Sequence, residues 1–270
     1  MARYLGVDLA WGEGTSTRPA KETGLVCVDD RGTVVDAGWA RGIDAVTEWL
    51  IDLAQPGDVI AIDAPLVVTN QTGMRDCERQ VGQRYGRWRV SANSTNLGRG
   101  WQGGVALRRR LESSGFVYDD GVRAEADVAV RFFECYPYTA LVGATEFGYE
   151  VERPRYKRPH LGLPSGDRRV FRASECDELI RRFAGFGQVD PPINLASHPA
   201  TRALLDPSPL GSAEYKHRED LLDAAICAWT AALWATTERE RCQVLGEGSV
   251  ADERGRRAVI IAPAREEQRR

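Results

Sequence analysis

The chain opens with short apolar runs separated by polar turns, the pattern of buried strands. Tyr4–Leu9 is one such run, and a polar loop rich in Gly and Thr follows it from Gly12 to Thr23. Gly24–Val28 and Thr33–Trp39 are two more, joined at hairpin distance by Asp29-Asp30-Arg31-Gly32. Between Ile43 and Ala54 the period lengthens: Val46, Trp49, Leu50 and Leu53 share one face of a helix, which Gln55-Pro56-Gly57-Asp58 ends. Val59–Ile62 is a fourth strand. The predicted order is a three-stranded meander, a helix and a strand.

Beyond Asp63 the pattern loosens. Asn70 to Gly104 is polar and rich in Gly, Asn, Ser and Arg, with one short helix near Met74–Gln83. Gly104–Ser113 reads as a helix and Ala129–Cys135 as a fifth apolar strand. Glu152 to Gly166 is a Pro- and Arg-rich connection and Ser174–Phe183 an amphipathic helix, and five prolines from Pro191 to Pro209 divide the next stretch into short elements. A long helix from about Lys216 to Arg239 is the clearest in the chain, and Ala258–Ala262 is a last strand. The whole reads as one α/β domain over residues 1–270, with irregular or helical insertions at about 67–128 and 150–215.

Two of the apolar strands each carry an aspartate, Asp8 and Asp63, and a third acid, Glu134, sits in the Ala129–Cys135 run. A lone buried carboxylate costs several kcal/mol unless compensated. Three in similar settings point to carboxylates gathered around a cation. The late helix adds Asp220 and Asp223, three apart and so on one helical face. Acids near a helix start also suit the macrodipole, and that is their plainer explanation. Together the set offers the oxygen donors that Mg2+ or Mn2+ prefer, and two such ions assist in-line phosphoryl displacement without histidine or cysteine.

Composition leaves this reading standing. Hydrophobic residues at 43% and charged residues at 28% are those of a soluble globular protein, and a net charge of −3 gives no global pull toward nucleic acid. Six scattered cysteines lack metal or redox spacing, so they read as core residues. Met1-Ala2-Arg3 runs straight into the first strand, with no room for a signal peptide, and the apolar stretch Ala224–Ala235 is too short for a membrane span. A soluble cytoplasmic protein is expected.

A resemblance joins these pieces. Gly6-Val7-Asp8-Leu9-Ala10-Trp11, Ile62-Asp63-Ala64-Pro65-Leu66, Arg75-Asp76-Cys77-Glu78, Glu134-Cys135-Tyr136-Pro137 and Asp220-Leu221-Leu222-Asp223-Ala224-Ala225 occur in this order over most of the chain. They resemble a widespread uncharacterised family of predicted RNase H-like nucleases. The resemblance implies a ribonuclease-H-like fold: a five-stranded mixed sheet, three antiparallel strands first and parallel strands after, with helices on both faces. It implies catalytic acids on the first strand, at the end of the fourth and on a late helix, which fall here on Asp8, Asp63 and Asp223 or Asp220. Glu134 matches the family's Glu-x-Tyr-Pro motif.

From Arg75 to Arg110 there are nine arginines against two acids, with Tyr85, Trp88 and Trp101 among them. Arg75, Arg84, Arg87 and Arg89 are candidate substrate contacts, since basic loops with aromatics suit a phosphate backbone; the alternative is a solvated surface with Arg75 and Glu78 as a simple i,i+3 pair. Ser91–Asn96 is a hydroxyl- and amide-rich loop that ordinary turn chemistry explains, Gly12-Glu13-Gly14-Thr15 is too weak for a phosphate loop, and Lys216 and His217 could assist a leaving group. The leading expectation is a divalent-metal-dependent nuclease, with Asp8, Asp63, Asp220 and Asp223 on Mg2+ or Mn2+, Glu134 in a supporting catalytic role, and DNA or RNA as substrate. An ATP-dependent phosphotransferase or ATPase of the sugar kinase and actin-like group shares this core but lacks support from glycine-rich adenosine motifs. A non-catalytic scaffold, its acids paired with arginines, is the third possibility.

Overall fold

The computed structural model describes residues 2–12, 14, 17, 19–99 (Arg99 by its backbone alone), 102–122, 128–158 and 160–269. Strands β1 (Arg3–Asp8), β2 (Glu22–Asp29) and β3 (Val34–Arg41) form an antiparallel meander, α1 (Gly42–Leu53) crosses over, and β4 (Val59–Ile62) returns beside β1. Next come α2 (Asp76–Tyr85), α3 (Gly103–Ser113), β5 (Val117–Tyr118), β6 (Arg131–Glu134), α4 (Pro137–Gly143), α5 (Asp167–Phe183), α6 (Pro199–Arg202) and α7 (Ser212–Thr237). A C-terminal hairpin, β7 (Cys242–Leu245) and β8 (Ile260–Pro263), forms its own two-stranded sheet.

The main sheet runs β3-β2-β1-β4-β6-β5, antiparallel in its first half and parallel from β1 onward. It has six strands where five were expected. The addition is the two-residue β5 on the outer edge of β6, too short to leave a periodic signal. Within the apolar β1 to β4 segment the expected elements appear within two residues of their predicted ends.

The sheet's pairing decides which side chains can meet. Partners across a ladder share a face and neighbours along a strand do not. Gly6 and Asp8 of β1 therefore share a face with Val26 and Gly24 of β2, while Leu5 and Val7 point the other way. Helix α7 lies on the Gly6 face. A Cβ at Gly6 would collide with the Ala224 carbonyl and the Ala228 amide, and one at Gly24 with the Asp220 carbonyl. Glycine at these two positions lets the helix backbone rest directly on the strands.

Helix α7 is buried along most of its length and on every side, as an all-round apolar helix must be. Its outer side is covered by the segment from α4 to α6. There Phe147, Phe183, Phe186 and Trp229 pack ring against ring, and the Trp229 indole donates to the Pro191 carbonyl at 2.9 Å. On the opposite face of the sheet α1 packs beside β2 and β3, with α3 against it. Among the described residues no helix is long and apolar enough to cross a membrane. All six cysteines are buried and free, as their dispersed spacing implied.

Candidate active site

Asp8 ends β1, and Asp63 follows β4 directly. The Asp63 amide donates to the Val7 carbonyl at 2.8 Å, which continues the parallel ladder one residue past Ile62. The two aspartates thus stand side by side on the α7 face, at the carboxyl ends of adjacent parallel strands, where open α/β sheets place their ligands. Helix α7 crosses above them and supplies Asp223, Asp220 and the intervening turn.

One residue binds this group together that sequence reasoning did not single out. Lys157 places its Nζ 2.6 Å from Asp223 Oδ2 and 3.9 Å from Asp63 Oδ2. Its neighbour Tyr156 donates its hydroxyl to Asp223 Oδ1 at 2.6 Å. On the far side Lys216 Nζ lies 2.5 Å from Asp220 Oδ1 and 3.0 Å from Glu219 Oε1. Asp223 is wholly buried whereas the Asp63 side chain is 17% exposed, so the centre is sealed at the helix and open at the strand ends.

Five carboxylates thus face two lysines. Burial raises the Asp8 pKa, Asp223 raises it further, and Lys157 and Lys216 oppose the shift. Asp63 is held well above the usual carboxylate range by burial, against the pull of Lys157. Burial also raises Glu219. Asp220 is pushed up to about 8 by burial and by Asp8, with which it shares a hydrogen bond. Such crowding of titratable groups in an opening is a mark of functional sites.

An acid bound more tightly to its proton in the folded state loses stability as pH rises from 3.8, its ordinary value, to about 8. Urea midpoints are therefore expected to fall between about pH 5 and about pH 8, and Asp220→Asn to flatten part of that fall. An unchanged pH profile in the variant would contradict this origin.

Glu134 does not share the α7 face with the aspartates, although it lines a small cavity together with Asp63. It pairs with Ile62, so it points to the opposite face of the sheet, while Cys135 is the β6 neighbour on the Asp63 side. There Arg75 clamps it bidentately, Nη2 to Oε1 at 2.6 Å and Nη1 to Oε2 at 2.8 Å, and the Leu66 amide donates to Oε2 at 2.9 Å. Arg75 Nε bonds Glu78 Oε1 at 2.9 Å, and Glu78 Oε2 accepts the Arg75 and Thr95 amides. All three side chains are buried. The expected catalytic acid and the first expected substrate arginine are thus partners in a clamp that fixes the 64–67 loop just after Asp63. Period-two alternation along β6 is the physical reason.

The other arginines are dispersed. Arg84 bonds Gln243 Oε1 at 3.0 Å and the Arg269 carbonyl at 2.9 Å, beside the C-terminal hairpin. Arg87 lies over the Trp88 ring, 5.2 Å from its centroid. Arg75 lines a small cavity with Asp63 and Glu134, and Arg89 lines a larger one shared with Arg153 and Arg155. Tyr85 and Trp88, expected among the aromatics of a basic loop, are core residues whose polar tips donate to the Pro263 and Glu150 carbonyls. The Ser91–Asn96 loop does turn chemistry, with Ser94 and Asn96 both donating to the Gly73 carbonyl. Trp101, Glu13 and Thr15 lie outside the described residues.

A cavity of about 410 Å³ opens onto Asp8 and Asp220, with Lys21, Arg41, Lys216 and His217 on its walls. His217 is fixed there by Glu22 at 2.7 Å and by stacking on Trp39 at 3.6 Å between centroids. Among the described residues no three His, Cys, Asp or Glu side chains are arranged to hold a metal ion as they stand. The cations that touch the acids are Lys157, against Asp223 and Asp63, and Lys216, against Asp220 and Glu219.

Residues 6–248, most of the chain, match a protein family described as Protein of unknown function (DUF429). No curated protein and no solved structure matches the chain.

Proposed function

The chain belongs to the DUF429 family, and for its acidic centre we propose divalent-cation-dependent hydrolysis of phosphodiester bonds, the work of a nuclease on a ribonuclease-H-like core. The observation that carries this reading is Asp8 and Asp63 abreast on neighbouring parallel strands with Asp223 facing them from α7. The strand order β3-β2-β1-β4, antiparallel and then parallel, supports the likeness of fold.

The donors fit the chemistry of a hard cation. Asp8, Asp63 and Asp223 offer carboxylate oxygens, and Asp223 Oδ2 is buried with no hydrogen bond among the described residues beyond its ion pair with Lys157. An Mg2+ or Mn2+ ion there would activate water and stabilise the leaving oxygen. Tyr156 fixes the plane of the Asp223 carboxylate through Oδ1. Lys157 must release Oδ2 to such an ion, which frees its ammonium for the negative phosphate. Asp220 keeps its proton near neutral pH and shares it with Asp8, lowering the repulsion beside the site.

The same lysine favours a second reading, in which the acids are a permanent ion network around Lys157 with no catalytic role. A Mn2+-dependent cleavage screen over single-stranded, duplex and branched DNA and RNA separates the two. Cleavage that EDTA abolishes supports hydrolysis, whereas no cleavage of any substrate, or cleavage indifferent to EDTA, overturns it.

A further inference from the structure

The segment that delivers Lys157 to the acids also builds a second feature. Arg89, Glu152, Arg153, Arg155, Arg158 and His160 line a cavity of about 420 Å³. Four guanidinium groups and an imidazole share it with one lining carboxylate, Glu152. That carboxylate already serves two of the arginines, Arg155 at 2.6 Å and Arg89 at 3.4 Å. Glu175 approaches Arg155 only through the backbone amide, at 2.9 Å. The cavity wall is therefore cationic, in a chain whose net charge is −3.

The wall is also built rather than loose. Arg153 Nε donates to the Arg89 carbonyl at 2.9 Å, and the Arg153 amide to the Trp88 carbonyl at 3.1 Å, tying the two chain segments together. Arg89 holds this place with a left-handed backbone, φ +60°, an uncommon conformation outside glycine. His160 presents a buried Nδ1 with no hydrogen-bond partner among the described residues.

An arginine of the cavity and the lysine of the acidic centre approach the same aromatic ring. The Arg153 guanidinium lies 4.3 Å from the centroid of Tyr138, and the Lys157 ammonium lies 5.2 Å from the same centroid. A chain of phosphates with one member at the acids would have its next members within reach of guanidinium forks, whose planar geometry suits phosphate oxygens. A duplex would meet a concavity of this size only with its outer phosphates, whereas a single strand can enter it.

We propose that the cavity walled by Arg89, Arg153, Arg155 and Arg158 binds the phosphodiester backbone of a single-stranded nucleic acid and leads it past Tyr138 to the acidic centre. The choice of ligand rests on the hydrolytic reading of that centre. Binding itself does not require cleavage.

The test is fluorescence anisotropy with labelled 12-nucleotide single strands, one of DNA and one of RNA, in EDTA. Wild type, Asp63→Asn and the double variant Arg89→Gln/Arg158→Gln are compared, and thermal melts confirm that all are folded. Both substituted arginines are exposed, so the fold should survive. Wild type and Asp63→Asn are expected to bind at least one probe. The double variant is expected to bind about tenfold or more weakly, with a salt slope lower by about 0.7 for each phosphate no longer neutralised. Equal affinity in the double variant, or no binding of either strand by folded wild type, overturns the proposal. Strand binding abolished in the double variant, without Mn2+-dependent cleavage by wild type, would uphold the groove and sink the hydrolytic reading. Cleavage by wild type at a rate the arginine pair does not alter, with unaltered binding, would do the reverse.

Discussion

Asp63→Asn is expected to lower Mn2+-dependent cleavage by about a thousandfold or more, the scale of losing a group that acts only in the transition state. Asn keeps the shape and one acceptor oxygen but removes the charge that would hold a cation at the open end of the centre. The fold should not suffer. Burial and like charges hold the Asp63 pKa well above its ordinary value, so the native state already resists its ionisation. A neutral side chain relieves that repulsion at the cost of a lysine interaction at 3.9 Å. Melting temperature should be equal or higher in the variant while activity is lost. Asp8→Asn should behave alike, because Asp8 is the neighbour on the adjoining strand. A full cleavage rate in either folded variant would contradict the role given to these acids.

Arg75→Met should act in the opposite sense, on stability first. It removes the cation from between Glu134 and Glu78 and leaves two buried carboxylates without their partner. Breaking a buried ion pair by deleting one member costs about 3–5 kcal/mol, because the charge left behind has neither water nor a counter-ion. Burial already raises the Glu134 pKa, and Arg75 is the largest influence opposing that rise. Denaturant unfolding measures the loss. Adding Glu78→Gln and Glu134→Gln to the variant should restore a large part of it, since the cost lies in stranded charge rather than lost volume. A loss under about 1 kcal/mol, or no recovery in the triple variant, would show that the clamp carries little.

The contrast between these residues shows what a sequence can and cannot reveal. Asp8 and Asp63 stand out because each is a lone acid in an otherwise apolar run, and the strand order alone makes them neighbours. Asp220 and Asp223 are visible through helical spacing. Glu134 looks the same as Asp8 in one dimension, yet its side chain leaves by the other face. That depends on the register Val7, Ile62, Glu134 across three strands, which no local pattern encodes. Arg75 reads as a substrate contact, or as an i,i+3 partner of Glu78, because its other partner, Glu134, lies 59 residues away and is reached only by tertiary packing.

Lys157 was hidden for another reason. It lies between Pro154 and Pro159 in a stretch without helical or strand period, and only packing beside Tyr138 and α7 carries it to the acids. Elements went unseen where they were short or lacked one-sided patterning. Helix α4 is seven residues and buried throughout, β5 has two residues, and β7 has four. Helix α5 begins at Asp167 rather than Ser174, because its first turns are largely charged and leave no apolar stripe to read.

The site turns on whether a divalent ion displaces the Lys157 ammonium from Asp223. Crystals grown with Mn2+ and measured at its absorption edge answer this directly. The expected result is an anomalous peak bounded by Asp8, Asp63 and Asp223, with Lys157 Nζ withdrawn from its present 2.6 Å contact. An undisturbed Lys157–Asp223 pair with no peak among the three acids would contradict it.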